Sequence, residues 1–378
     1  TALCYAELAS TVGGCGGAYG YAYAGLGEFI AWLIGWNLIL EYGVATSTVA
    51  IGWSGYIKDM LAIFSIHLPH VLTAGPFEGG ICDLPAVFII LLTSVVLASG
   101  IHHSARMNRI IVIAKLVAIV VFVLVAIKHF NLKNWHPFMP FGWHGVAAGA
   151  GLIFFAYIGF DAVATAAEET INPQRNLPIA IIGSLTVCTL LYMLVSGMIT
   201  GMAPYTQLNV DSPVSEVLLQ YGESFAAGIV AMGAIAGLTS VTLVMYYGLT
   251  RILLAMSRDG LLPHVFSEIN PKTQIPTRVV WGTGIIIAII AGFTPIGVAA
   301  EMVNIGTLAA FAIVCIGVVF LRVRQPGLTR PFKVPFSPYV PIMGAMVCLY
   351  LMANLSEMTW VRFVIWSAVG LVIYFIYG

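Results

Sequence analysis

Apolar residues run in long blocks along nearly the whole chain, separated by short polar connectors, and this pattern predicts helices that cross a bilayer. About 20 consecutive apolar residues are needed to traverse ~30 Å of hydrocarbon. Such blocks occur at residues 29–54, 84–101, 110–127, 146–167, 179–203, 226–256, 279–298, 303–321, 340–355 and 359–377. Ten spans, with every backbone polar group satisfied within its own helix, define an all-α polytopic membrane protein. Little chain is left over, so residues 1–378 are expected to form a single transmembrane domain. The opening residues, Thr1-Ala2-Leu3-Cys4-Tyr5, are already apolar and are expected to end a further, partial N-terminal span.

Composition agrees. Of 378 residues, 60% are hydrophobic and 8% charged, against about 25% charged in a soluble domain. If the connectors alternate sides, one side collects Arg106, Arg109, Arg175, Arg251, Arg258, Lys272, Arg278, Arg322, Arg324, Arg330 and Lys333. The other collects Lys58, Lys128, Lys133 and Arg362. That bias places the first set in the cytoplasm. The connectors at 257–278 and 322–339 are basic and proline-bearing, whereas those at 56–83 and 204–223 are long, polar and acidic.

Several classes are excluded. No HExxH, GxSxG or P-loop sequence is present. The pairs His67/His70 and His102/His103 lack further ligands at metal spacing, so no metal site is expected. Six scattered cysteines, Cys4, Cys15, Cys82, Cys188, Cys315 and Cys348, contain no CxxC pair and suggest no disulfide framework. Zero net charge argues against nucleic-acid binding.

Inside the spans a few residues can carry chemistry. Gly151-Leu-Ile-Phe-Phe-Ala-Tyr-Ile-Gly-Phe-Asp161 is an apolar helix interrupted by Gly159 and then by a carboxylate, which costs ~2.5 to 3.5 kcal/mol at the centre of a span. In one reading the helix unwinds around Ala156–Gly159 and Asp161 caps its second half by accepting from amides one turn on. The freed carbonyls can then bind an ammonium group. In the other, Gly159 is a packing glycine and Asp161 reaches solvent. Lys115 lies about 9 Å into its helix beyond Arg109; it either snorkels to the interface or faces the bundle, where it can exchange a proton. Glu41 is a lone mid-span carboxylate that faces a cavity or a cation, or is a protonated structural group. Hydroxyls at Thr239, Ser240 and Thr242 can ligate a substrate or bond back to their own helix, and Met245 can wall a pocket or fill core.

Four stretches resemble the amino acid, polyamine and organocation (APC) superfamily, within it the bacterial relatives of cationic amino acid transporters. They are Ala6-Glu7-Leu8 with Gly16-Gly17-Ala18-Tyr19 and Gly35-Trp36-Asn37-Leu38-Ile39-Leu40; Glu168-Glu169-Thr170-Ile171-Asn172-Pro173-Gln174-Arg175-Asn176-Leu177-Pro178; Ser257-Arg258-Asp259-Gly260-Leu261-Leu262-Pro263; and Arg330-Pro331-Phe332-Lys333-Val334-Pro335. The resemblance implies an inverted five-plus-five helix repeat with two additional C-terminal helices. The family's first helix, whose glycine-rich break binds the substrate carboxylate, is expected before Thr1. It implies that Phe154–Asp161 belongs to a discontinuous helix, with the carbonyls of Phe155, Ala156 and Ile158 as ligands of the substrate amine and Phe155 as a gate. It also matches Lys115 to a lysine beside the cation site of proton-coupled members. One departure stands in the inner loop, where Gly13 replaces the proline usual before the double glycine.

The expected function is therefore import of an L-amino acid by proton symport and alternating access, in a bacterial plasma membrane. The expected binding residues are Phe154, Phe155, Ala156, Ile158, Gly159, Glu41, Thr239, Ser240 and Met245, with Lys115 for proton coupling and Asp161 as the cap. A proton rather than sodium is the expected coupling ion; no other cofactor is expected, and the partners are the small amino acid and the bilayer. The alternatives are a proton-independent exchanger of the same fold and a membrane amino-acid receptor.

Overall fold

The computed structural model describes residues 1–11, 17–100, 105–165, 170–270 and 275–377, with the side chains of 24, 105–108 and 164–165 also left aside. Gly13, Cys15, Gly16, His102, His103, Glu168, Glu169 and Lys272, and the side chain of Arg106, lie outside the described set.

The described helices are α1 (Ala2–Thr11), α2 (Gly17–Gly25), α3 (Glu28–Ile63), α4 (Leu84–Ala98), α5 (Ala105–His129), α6 (Gly142–Ile153) and α7 (Phe160–Thr165). They continue with α8 (Pro173–Met202), α9 (Pro213–Gln220), α10 (Ser224–Arg258), α11 (Thr277–Phe293), α12 (Ile296–Arg324), α13 (Tyr339–Ala353) and α14 (Glu357–Tyr377). Seven helical stretches, counting α6 through α7 as one, are long and apolar enough to cross a membrane. The other three apolar blocks form the shorter α4, α11 and α13, of 15, 17 and 15 residues.

Boundaries differ from the hydrophobic blocks where local chemistry intervenes. The block at 279–298 stops at Phe293, because Pro295 forces Thr294 into an extended conformation (φ −108°, ψ 133°). A new helix starts at Ile296, seven residues before the block at 303–321. Helix α3 runs on to Ile63 past the polar residues that ended its block, and the acidic connector at 204–223 contains α9.

The helix lengths repeat. A short α2 of 9 residues, then α3, α4 and α5 of 36, 15 and 25, is matched by α9 of 8, then α10, α11 and α12 of 35, 17 and 29. The broken α6–α7 and α8 precede the second series, and α13 and α14 follow it. A unit of five crossings ends on the opposite side from its start, so its second copy is inverted, as in the five-plus-five repeat.

Burial separates inner from outer helices. The most apolar windows of α3 and α12 are 67% and 72% buried, against 6% for α8 and 11% for α14. Helices α3, α10 and α12 therefore form the centre, and the exposed apolar side chains of the peripheral helices, such as Leu190 and Val364, face lipid. Helix α14 attaches to α3 through stacked Trp36 and Trp366, centroids 4.4 Å apart, each donating its indole N–H to the other's carbonyl.

The family-like stretches converge at one end of the bundle. The carboxylate of Glu7, buried on α1, accepts from Arg322 Nε at 2.8 Å and Nη2 at 2.5 Å and from the Val334 amide at 2.6 Å, with Arg330 Nε at 3.6 Å. Tyr19 donates to Asp259 at 2.7 Å. At the opposite end Lys58 pairs with Asp211 at 3.1 Å and His129 meets Glu223 at 3.1 Å.

Candidate functional site

The sequence around Gly159 interrupts its helix. Helix α6 ends at Ile153, a 3₁₀ turn covers Phe154–Tyr157, Ile158 is extended (φ −64°, ψ 135°), and α7 resumes at Phe160. Gly159 sits at φ +121°, a conformation open to glycine and strained for any residue with a Cβ. Asp161 stabilises the turn: its Oδ1 accepts the Gly159 amide, two residues upstream, at 3.0 Å, and its Oδ2 accepts the Tyr42 hydroxyl from α3 at 2.9 Å. The carboxylate is 3% exposed, so these bonds replace water.

A break frees carbonyls, and neighbouring helices take up several. Asn304 of α12 donates to the Leu152 carbonyl at 2.7 Å. Tyr192 of α8 donates to the Ala156 carbonyl at 2.7 Å, and the Ile158 amide donates to the Phe155 carbonyl at 3.2 Å. Two of the three expected amine ligands thus already hold one hydrogen bond, leaving each a second lone pair. Phe155, the expected gate, is half-buried, whereas the ring of Phe154 meets Phe311 at 5.7 Å.

Around the break lies a buried polar centre with unfilled valences. Glu41 is fully buried, and among the described residues neither of its carboxyl oxygens has a hydrogen-bond partner. Thr307 faces it, but the Thr307 proton goes to the Val303 carbonyl at 2.9 Å. The Tyr5 hydroxyl and Asn304 Oδ1 are likewise buried and unpartnered. The Tyr5 ring packs edge-on against Phe160 and Phe311, at 5.6 and 5.0 Å. Buried polar atoms without partners are rare in folded proteins and mark places where a ligand or water completes the set.

The remaining expected residues divide. The methyl of Met245 lies 3.5 Å from where a Cβ on Gly159 would stand, so Met245 walls the break. Thr239 donates to its own helix at Ile235 and accepts from the Trp53 indole at 3.0 Å, while Ser240 is buried on the same helix. Lys115 turns into the bundle: its stem packs on Gly237 of α10, where a side chain would collide with it. It lines an apolar cavity of about 200 Å³ with Tyr56, Phe122, Val195 and Gly233. Among the described residues it has no hydrogen bond or ion pair. On α8, Cys188 lies within electrostatic reach of both Lys115 and Tyr192.

Sequence reading missed Tyr42, Tyr192, Asn304, Thr307 and Tyr5. Asn304 did carry a signal, as a side-chain amide in an apolar span. No group of His, Cys, Asp and Glu able to hold a metal occurs among the described residues.

An inverted-repeat helical bundle whose interrupted helix faces unfilled polar groups defines a membrane transporter. Residues 1–376 match the family model described as amino acid permease, and the chain belongs to that family. The whole chain aligns with 82% of a methylthioribose transporter of Bacillus subtilis at 48% identity, and with 82% of the branched-chain amino acid permease BcaP of the same organism at 47%. It is also 39% identical to the vacuolar cationic amino acid transporter 4 of Arabidopsis thaliana, over 86% of this chain and 56% of that protein. These relatives are named as transporters and permeases, not enzymes, and the protein is an integral membrane permease.

Proposed function

We propose that the permease imports a small neutral L-amino acid, with branched-chain side chains foremost, together with a proton and by alternating access. The observation that carries this reading is the interrupted helix at Phe154–Gly159, walled by Met245 and bordered by the unpaired carboxyl of Glu41. An amino acid brings an ammonium group that the Ile158 carbonyl and the spare lone pairs at Phe155 and Ala156 can accept. The thioether of Met245 gives the side chain an apolar, adaptable wall. Two relatives named as branched-chain amino acid permeases, at 47% and 35% identity, support that choice.

Proton coupling rests on Lys115. An ammonium among apolar side chains is costly, and its protonation favours whichever bundle arrangement supplies compensating groups. The arginine-rich end is assigned to the cytoplasm of a bacterial plasma membrane by the charge bias. In proteoliposomes holding the full-length protein, leucine, isoleucine and valine uptake is expected to follow an inward proton gradient and to collapse in Lys115→Ala. Uptake that requires sodium and ignores pH rejects the reading; counterflow without any gradient, unchanged by the substitution, favours the exchanger.

A second reading comes from the relative named as a methylthioribose transporter, at 48% identity. Methylthioribose carries no ammonium or carboxylate. Competition settles the choice: unlabelled methylthioribose that displaces bound leucine at equal concentration favours it, and failure to displace rejects it.

A further inference from the structure

At the end of the bundle away from the arginine-rich loops, Arg362 is a cation set within an apolar helix. Arg362 of α14 is half-buried, and among the described residues no hydrogen bond, ion pair or ring contact includes it. Glu301, on the adjoining α12, is already engaged by the hydroxyls of Ser356 and Thr359. An arginine this near the end of a lipid-facing helix reaches the interface, where an anionic head can pair with it.

Arg362 lines a cavity of about 520 Å³ between α3, α11, α12 and α14. Apart from Thr294 and Arg362 the lining is apolar, including Val44, Phe77, Ile290, Pro295 and Met302. The lining reaches inward from that end. Pro295 marks the turn at the end of α11, and Phe77 belongs to the connector on that side, whereas Val44 lies midway along α3. An arginine side chain leans toward the N-terminus of its helix, which for α14 is the same end. A cation beside an apolar cavity that opens near the membrane surface matches one kind of molecule: an anionic head attached to a hydrocarbon chain.

We propose that this groove binds an anionic phospholipid, its phosphate held by the Arg362 guanidinium and one acyl chain laid between α11 and α12 toward Val44. Guanidinium and phosphate form paired, charge-assisted hydrogen bonds, and no carboxylate among the described residues pairs with Arg362 in competition. The zwitterionic head of phosphatidylcholine places its own cation against the guanidinium and is the weaker ligand. The inference needs only that the protein is embedded in a membrane, not the proposed substrate or coupling ion.

The test is a titration of delipidated, detergent-solubilised protein with phosphatidylglycerol, read by thermal unfolding and by native mass spectrometry of retained lipid. A saturable upward shift is expected with phosphatidylglycerol, with about tenfold more lipid needed for the half-maximal shift in Arg362→Gln, a factor that corresponds to 1.4 kcal/mol. Arg362→Lys, which keeps the charge, should recover part of the affinity. If the glutamine variant does not fold, wild-type protein still decides: raised salt must weaken the phosphatidylglycerol shift, since screening acts on an interfacial charge pair. Equal shifts with phosphatidylcholine, an Arg362→Gln titration matching wild type, a salt-independent shift, or reproduction of the shift by inorganic phosphate alone would each overturn the proposal. Amino acid uptake enters none of these readouts, so failure of the transport assay and failure of the lipid site are separable.

Discussion

Replacing Glu7 by glutamine tests whether the family-like stretches hold the fold together through one buried carboxylate. Glu7 is 3% exposed at its side chain, Arg330 7% and Arg322 25%, so solvent screens little of the cluster. Glutamine keeps the shape and one acceptor but removes the charge, and its NH₂ group opposes an N–H donor of Arg322 or Val334. Removing one partner of a buried ion pair costs about 3 to 5 kcal/mol; partial exposure of Arg322, which can turn to water, points to the lower end, about 3 kcal/mol. The assay is reversible unfolding of purified protein in mixed micelles, run as a double-mutant cycle with Arg322→Met. The double variant should lose less than the sum of the singles, with a coupling of at least about 1.5 kcal/mol. An E7Q protein within about 0.5 kcal/mol of wild type, or strictly additive losses, would refute the role given to Glu7.

Three further outcomes follow from the site and the loops. Gly159→Ala should destabilise by about 1 to 3 kcal/mol through its φ of +121° alone, since the added methyl meets Met245 at an ordinary 3.5 Å; substrate-induced thermal shifts should shrink with it, and an unchanged unfolding curve would contradict the break. Tyr192→Phe removes the bond to the Ala156 carbonyl and should lower the maximal transport rate severalfold while cysteine accessibility at position 188 rises; unchanged transport would show that the carbonyl needs no partner. Asp83 caps α4, accepting from the Ala86 amide and the Ser54 hydroxyl, and burial raises its pKa from 3.8 to about 6. The native state therefore holds the proton more tightly than the unfolded chain, so its stability contribution is complete below 3.8 and is lost as pH rises through 6. The gap is worth about 3 kcal/mol at 1.36 kcal/mol per pH unit. Asp83→Asn, which keeps both accepted bonds, should flatten the fall in stability between pH 4 and 6 relative to wild type; parallel curves would contradict it. Burial also raises Glu78 and Glu216 in the neighbouring connectors, so the difference between the two proteins, not the wild-type slope, isolates Asp83.

The chain's own local pattern determined a good deal. Apolar blocks located the ten main helices, seven of them in stretches long enough to cross and three of 15 to 17 residues, because crossing hydrocarbon demands an apolar, internally bonded backbone. Gly159 followed by Asp161 marked the interruption, since a positive φ has no place in a regular helix and a nearby carboxylate can accept the amides that the break frees. Pro295 carried the boundary between α11 and α12 as well, a signal that a hydropathy average passes over. Tertiary structure alone decided which helices lie inside. Lipid tails are as apolar as leucine, so hydrophobicity does not distinguish a lipid-facing helix such as α8 from a central one such as α12. It also decided which polar groups meet: Glu7 with Arg322 and Val334, Tyr42 with Asp161, Tyr192 with Ala156. These partners lie 36 to 327 residues apart, beyond the reach of any helical period, and they find one another only because close helix packing leaves a buried polar group no water to turn to.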